Sequence, residues 1–463
     1  MEQTKTKKLL VALIIVLGLV LVGTLGGFLW FRMTRVKVEG QIYKTDTELL
    51  DLRGTDASLE HVRDLRSALP GCVIRWDVPF QGTRYPDDTT ELTVTTLTEE
   101  DIRMMDYMPR LSYVDATQCE DYAAILALKA HRPDCRVDYK LHLGDQELEP
   151  DAASAEFVVD EVTAQELRDA IPYLPNLKTV HFTDPAVPAE DLYALQQEFP
   201  QITFTWDKIV LGTRMDMDTT ELDFSGTTVE SAESVEALAA YFPNLEKVEM
   251  VGCGISNEDM AAYRERVRGR YQVIWGVQVG QAYLRTDEKG FIPSSHSLRV
   301  TNEDLNNLRF CEGLIAVDLG HIGVGNLSWV SGTPHLKYLI VGDGNVRNED
   351  VAHLSQLKEL TYLEIFMSPV TDISPLVECT ALEDLNLSRS YVDVKPLGEM
   401  PWLKNLWLLG NKSTAQDVAY LHEHLPNTRI ETGYHSTCHG RGWRNMQSYR
   451  DMRDALGMWY MKG

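Results

Sequence analysis

A six-residue pattern of apolar and polar positions recurs in the last third of the chain. Its first, fourth and sixth positions are apolar, as in Leu336-Lys-Tyr-Leu339-Ile-Val341. The copies begin 21 to 24 residues apart, at Leu314, Leu336, Leu360, Leu382 and Leu403. A strand with this pattern turns its apolar side chains inward, where they become buried only when neighbouring repeats stack on it. The pattern therefore predicts an α/β solenoid with one strand in each repeat.

This pattern resembles the leucine-rich repeat family. The segment Thr371-Asp-Ile-Ser-Pro-Leu376 is similar to the linker between repeats in the bacterial, internalin-like branch of that family. The resemblance implies a curved parallel sheet on the concave side of the solenoid, with helices on the convex side. It also implies a binding surface, and it does not name the ligand. We expect leucine-rich repeats of about 22 residues over residues 294–432.

The first half of the chain has a longer period. Its Thr-Glu-Leu type phrases place Leu92, Phe157 and Leu222 at steps of 65 residues. Three strands in each such module give nearly the same pitch as the later repeats, so we predict a leucine-rich repeat array of three-strand modules over residues 38–293. Glycine turns after the third strand, as at Gly212, predict short hairpins.

The amino-terminal region carries a long uncharged run. Residues 9–31 contain no charged side chain and would form roughly 34 Å of helix, which is enough to cross a bilayer core. We predict an uncleaved signal anchor, a single transmembrane helix that follows a short cytoplasmic tail at residues 1–8. The flanking Lys and Arg residues are almost balanced. Because the tail is short and a long domain can be translocated whatever its charge, we expect the bulk of the chain to be extracellular.

The carboxyl-terminal residues 433–463 predict one amphipathic helix. Trp443, Met446, Tyr449 and Met452 recur every three residues and share one helical face. We interpret this segment as a capping helix that shields the last repeat. A membrane-surface or partner-binding helix is the alternative.

Composition narrows the possible partners. The formal net charge is −25, which disfavours a nucleic-acid partner, and the hydrophobic content of 44% supports a continuous core. The seven cysteines are few and scattered, so they do not predict a disulfide framework. One bridge between Cys119 and Cys135 is conceivable, but small buried residues are the better interpretation.

Sequence motifs for catalysis are almost absent. The chain has no glycine-rich phosphate loop, nucleophile elbow or His-Glu-x-x-His helix. His435, Cys438 and His439 are potential soft-metal ligands, but their spacing matches no common zinc pattern. We therefore predict no metal, no cofactor and no enzymatic activity.

The repeat geometry predicts a binding surface. Because positions one, four and six point inward, positions three, five and seven point to the concave side. Strands about 4.8 Å apart stack equivalent residues in rows. The candidate binding residues are Tyr338, Ile340, Tyr362, Glu364, Phe366, Asp384, Asn386, Asn405 and Trp407. Sideways packing of these side chains on one another is the alternative to binding. If they bind, alanine at Tyr362 and Trp407 should abolish capture of the partner with little loss of stability.

These observations predict a membrane-anchored bacterial leucine-rich repeat protein at the cell surface. Its concave face is expected to bind a protein or a cell-surface glycan, without catalysis. One alternative is a scaffold or signalling module that faces the cytoplasm. Another is a cell-envelope hydrolase with a metal near the carboxyl terminus, at His435, Cys438 and His439.

Overall fold

The computed structural model describes residues 2–158, 161–293, 298–433 and 442–457. The chain divides into two compact units, Met1–Asp207 and Lys208–Gly463. In both units, short parallel strands alternate with helices or 3-10 turns.

The strands that begin within the first unit are short. They are β1 (Arg35–Val38), β2 (Gln41–Lys44), β3 (Leu49–Asp51), β4 (Val73–Arg75), β5 (Asp77–Phe80), β6 (Thr83–Pro86), β7 (Glu91–Thr93), β8 (Tyr113–Asp115), β9 (Arg136–Asp138), β10 (Leu141–Leu143), β11 (Gln146–Leu148), β12 (Ser154–Val158), β13 (Thr179–Thr183) and β14 (Thr203–Val210). Strands β3–β4, β7–β8–β9 and β12–β13–β14 form parallel sets, whereas β1–β2, β5–β6 and β10–β11 are antiparallel hairpins. The parallel register aligns Leu92, Val114 and Val137 in one buried row.

Helices separate these strands. They are α1 (Glu2–Thr34), α2 (Leu59–Ala68), α3 (Glu99–Met104), α4 (Tyr122–His131), α5 (Ala164–Ala170) and α6 (Ala189–Glu198). Helices α3 and α5 are preceded by the N-cap residues Thr98 and Thr163, whose side chains accept a hydrogen bond from the backbone amide of the third helical residue in a capping box. These caps satisfy amide groups that would otherwise lack partners at the start of so short a helix.

The second unit continues the same alternation. Its strands are β15 (Thr213–Asp216), β16 (Glu221–Asp223), β17 (Lys247–Glu249), β18 (Gln272–Ile274), β19 (Gly276–Val279), β20 (Ala282–Arg285), β21 (Gly290–Phe291), β22 (Ala316–Asp318), β23 (Tyr338–Gly342), β24 (Tyr362–Phe366), β25 (Asp384–Asn386), β26 (Asn405–Trp407) and β27 (Arg429–Glu431). Its α-helices are α7 (Ala232–Ala239), α8 (Asn257–Arg266), α9 (Asn348–Ala352), α10 (Ala415–His424) and α11 (Gln447–Ala455). Strands β16–β17–β18 are parallel, and β19–β20 form an antiparallel hairpin.

Strands β21 to β27 form one parallel sheet of seven strands in chain order. The fourth-position residues Val317, Leu339, Leu363, Leu385 and Leu406 stand directly opposite one another and are buried. They share one core with apolar residues of the connecting segments, such as Leu354, Leu376 and Leu397. Those segments are mostly 3-10 turns, at Ser328–Gly332, His353–Gln356, Ser374–Glu378 and Lys395–Glu399. The inward direction predicted for the repeat leucines is therefore confirmed.

This α/β architecture, with its long parallel sheet, is consistent with a leucine-rich repeat solenoid. The division into two kinds of repeat array stays a prediction. It assigns one kind to residues 38–293 and the other to residues 294–432, with the change near residue 293.

Helix α1 includes the uncharged run at residues 9–31. In the part of the chain that the structure describes, no helix meets the length and apolarity that crossing a membrane requires. The predicted transmembrane helix is therefore not confirmed.

Candidate functional site

The predicted binding residues lie together on the face of the seven-stranded sheet that is opposite the repeat core. The strand register places Tyr338, Tyr362, Asp384 and Asn405 in one row. A second row contains Asp318, Ile340, Glu364, Asn386 and Trp407. We call this surface the covered face; it consists of both rows with Ala316, Phe366 and Leu409.

Hydrogen bonds join neighbouring strands across the covered face. The Asn386 amide on β25 donates to Glu364 on β24 at 3.2 Å, and the other Glu364 oxygen accepts a short hydrogen bond from the hydroxyl of Tyr362 on its own strand. The Asn405 amide donates to Asp384 at 2.6 Å. The polar side chains of the face are therefore held in fixed positions.

The C-terminal segment, residues 442–457, lies over this face. It consists of a 3-10 turn, Trp443–Asn445, followed by helix α11. Trp443 contacts Phe366, with ring centroids 6.2 Å apart, and Tyr449 contacts Tyr362 at the same centroid distance. Trp443 and Met452 are buried in one apolar cluster with residues of the covered face.

A hydrogen bond and a close backbone approach fix where the segment crosses the sheet. Ser448 donates a short hydrogen bond to Asp384 on β25. At the other end of α11, the backbone passes close to Gly290 of β21. A side chain there would not fit, because its Cβ would lie 2.7 Å from the Ala455 carbonyl oxygen. The segment therefore crosses several strands of the sheet.

Two predictions about these residues need correction. The tail was expected to cap the last repeat, but its apolar side contacts the covered face across several repeats. Tyr362 and Trp407 were expected to be open to solvent, but they are 0% and 1% exposed. The physical reason is that the aromatic side chains of the covered face and the apolar side chains of the C-terminal segment bury each other. Whether the nine residues bind a partner stays a prediction.

Burial changes the titration of three carboxyl groups on the face. Desolvation, opposed by the hydrogen bond from Tyr362, raises the pKa of Glu364 to about 7. Burial also raises the pKa of Asp318 and of Asp384. A carboxyl group with a pKa of about 7 is only partly ionised at neutral pH, so this side of the sheet is less anionic than its composition suggests.

Arginine side chains of the C-terminal segment oppose part of this rise in the carboxyl pKa values. Arg444 lowers the pKa of both Glu364 and Asp318, and Arg453 lowers the pKa of Asp318. Ionised Glu364, in turn, raises the pKa of the Tyr449 hydroxyl, whose larger shift comes from burial. The electrostatic balance of the face therefore depends on the segment that covers it.

Sequence reasoning missed two members of the site. Asp318 occupies the fifth position of the first repeat phrase, which is equivalent to Glu364, so the repeat pattern itself could have identified it. Ser448 lies on α11 and contacts a residue 64 positions earlier. No local signal reveals such a contact.

His435, Cys438 and His439, the metal ligands of the alternative hydrolase interpretation, lie outside the described residues. Among the residues that the structure describes, no group of three or more His, Cys, Asp or Glu side chains is arranged to hold a metal ion. Cys119 and Cys135 are both free and buried. Burial raises the pKa of each of these two thiols, as expected for packed and unreactive cysteines.

Comparisons with known proteins give similarity in structure only. No protein-family model and no curated protein matches the sequence. An internalin C2 from Listeria monocytogenes is 20% identical over 49% of this chain and 88% of its own, with a TM-score of 0.27. A second Listeria monocytogenes internalin is 11% identical over 85% of this chain and 92% of its own, with a TM-score of 0.25. A leucine-rich repeat protein from Leptospira interrogans is 13% identical over 77% of this chain and 95% of its own, with a TM-score of 0.26.

These solved structures are bacterial leucine-rich repeat proteins, and the chain is similar to them in structure. At such TM-scores, the assignment of the repeat type rests on the strand register and the inward leucine rows.

Proposed function

We propose that the chain is a non-enzymatic leucine-rich repeat protein that recognises another protein through the covered face. The main support is that this face holds a polypeptide segment through ring contacts at Tyr362 and Phe366 and a hydrogen bond at Asp384. Aromatic groups beside a few hydrogen-bonding groups are typical of protein interface hot spots. The strand register orders these side chains in advance, which lowers the entropic cost of binding.

A protein fits the covered face better than a glycan. Apolar Ala316, Ile340 and Leu409 lie among its aromatic residues. Glu364 and Asp384 already accept hydrogen bonds from neighbouring side chains. A sugar hydroxyl buried there without a partner would lose its hydrogen bonds to water, which costs free energy. An apolar side of a polypeptide has no such cost.

The test compares capture by the full chain with capture by a face variant. Immobilised wild type and Ile340→Asp are exposed to purified cell-envelope proteins and, separately, to purified envelope glycans. We expect one protein to be retained by the wild type and by the control Tyr391→Ala, whose side chain is half-exposed, and lost with Ile340→Asp. Retention of glycan, or identical protein capture by folded Ile340→Asp, argues against this function.

We also propose that residues 9–31 hold the chain at a membrane, with the repeats outside the cell. Large apolar side chains of α1, such as Leu13, Val16 and Val20, are exposed along the helix, and an apolar surface of this extent favours a non-aqueous environment. Protease added to intact cells should digest the repeats. Protection of the repeats until the cells are broken would favour a scaffold that faces the cytoplasm.

A further inference from the structure

We propose that the covered face is a receptor for an amphipathic helix of a partner protein, and that the C-terminal segment is a built-in competitor for that helix. This inference rests on the proposed function, because it concerns the same face. It adds the class of partner and a requirement that the segment leave before the partner binds.

The segment rests on the covered face through a row of large side chains. Tyr449 and Met452 lie on α11, Trp443 lies in the 3-10 turn and Met446 directly precedes the helix; all four contribute to the cluster on the sheet. An amphipathic helix that lays such a row into an apolar groove is a recurring mode of peptide recognition. The opposite side of α11, with Arg450, Asp451 and Asp454, is exposed to solvent.

Polar groups give this groove a preference among helices. Asp384 accepts the hydrogen bond of Ser448, while Arg444 and Arg453 interact favourably with the buried carboxyl groups of Glu364 and Asp318. A partner helix is therefore expected to carry a hydroxyl in its first turn and a cationic residue near its carboxyl end, with a second cationic residue just before the helix. A helix with acidic residues at those two places would bring like charges together.

The repeat core is complete without the segment. The main core of the second unit contains the inward leucines and their connecting turns, from Val210 to Leu425. Trp443 and Met452 belong to a separate cluster that forms only on the covered face. Removal of the segment therefore exposes the face without opening the core, as a displaceable ligand requires.

The chain connection makes the segment a strong competitor. It is covalently joined to the sheet that it covers, and a short connection gives an effective concentration in the millimolar range. A free helix at micromolar concentration therefore competes poorly until docking of the segment is weakened.

The test uses the full chain and a labelled synthetic peptide of residues 442–457. Met452→Asp places a carboxylate in the apolar cluster and releases the segment, whereas Arg450→Asp places the same group on the exposed side of α11. By fluorescence anisotropy, we expect the peptide to bind Met452→Asp at least tenfold more tightly than either wild type or Arg450→Asp. Tyr449→Ala, which removes one ring contact, should have an intermediate affinity if Met452→Asp does not fold.

Other outcomes overturn the proposal. Equal peptide affinity for wild type, Tyr449→Ala and Met452→Asp would show that the segment does not compete. Binding of a peptide with the same composition in scrambled order would show that the groove does not recognise the apolar row. A wild-type dimer that becomes monomeric in Met452→Asp would assign the face to the segment of a second copy.

This experiment needs no natural partner, so it separates the two proposals. Peptide binding to Met452→Asp without capture of any envelope protein by the same variant would leave the helix receptor intact and contradict the proposed function. Capture that is lost with Ile340→Asp but is unaffected by Met452→Asp would support the proposed function and contradict the competitor.

Discussion

The ring of Tyr449 on α11 packs edge-on against the ring of Tyr362 on β24, with centroids 6.2 Å apart and planes at 64°. Tyr362 is fully buried in this arrangement, and its hydroxyl bonds to Glu364. One pair of rings thus connects the position of the C-terminal segment to the polar network of the sheet.

Replacement of Tyr449 by alanine should loosen the segment selectively. Loss of the ring contact and of its apolar burial is expected to weaken docking by about 2 kcal/mol. Hydrogen exchange of the amides in α11 should then accelerate roughly 30-fold, because that free energy corresponds to such a change in the docking equilibrium. The slowly exchanging amides of β23 and β25 should keep exchange rates within about twofold of the wild type.

The matched control is Asp454→Ala, since Asp454 lies on the exposed side of the same helix. It should leave exchange in α11 within about twofold of the wild type. Equal acceleration in both variants would contradict the role assigned to the Tyr449 ring.

Protonation of Glu364 should stabilise the folded protein. Its pKa is raised from 4.5 to about 7 in the folded state, so the folded protein binds this proton more tightly than the unfolded chain does. This contribution is fully present below pH 4.5 and is lost progressively as the pH rises to about 7. The free energy of unfolding should fall by about 3 kcal/mol across that interval.

Urea unfolding of wild type and Glu364→Gln at a series of pH values measures this effect. The glutamine variant keeps a similar shape and does not titrate, so the difference between the two proteins isolates Glu364 from all other carboxyl groups. An identical pH dependence for both proteins would exclude the predicted shift.

Trp407 should contribute to stability as a core residue does. It is 1% exposed and packs in the cluster under the C-terminal segment. Truncation to alanine is expected to lower the free energy of unfolding by about 3 to 5 kcal/mol, as for other buried aromatic residues. Urea denaturation measures the loss, with the half-exposed Tyr391→Ala as the control, for which about 0.5 kcal/mol is expected. A loss below 1 kcal/mol for Trp407→Ala would restore the interpretation of this side chain as an open binding residue.

Gly332 is required by a close approach between neighbouring repeats. A Cβ at this position would lie 1.8 Å from the backbone carbonyl oxygen of Arg309, which cannot move without displacing the preceding turn. Gly332→Ala should therefore lower the free energy of unfolding by about 1 to 3 kcal/mol. Gly71→Ala is the matched control, because no atom lies within 4 Å of its Cβ position. Similar urea midpoints for the two variants would contradict the clash.

The regular part of the fold could be predicted because its signal is local. The spacing of Leu339, Leu363, Leu385 and Leu406 reports a strand that recurs at a constant pitch, and only the inward direction buries those side chains. The same spacing assigns Tyr362, Glu364 and Trp407 to the opposite face. The rows of the candidate site thus follow from the sequence.

What covers those rows could not be read from the sequence. The amphipathic pattern of residues 443–452 indicates an apolar side, but it does not identify the surface on which that side packs. Only the tertiary structure brings Ser448 to Asp384 and Tyr449 to Tyr362, residues far apart in the chain. The raised pKa of Glu364 depends on the same packing, because desolvation arises from the atoms that surround a group in space. Sequence periodicity therefore determined the direction of each side chain, and tertiary contacts decided which of them remain open to a partner.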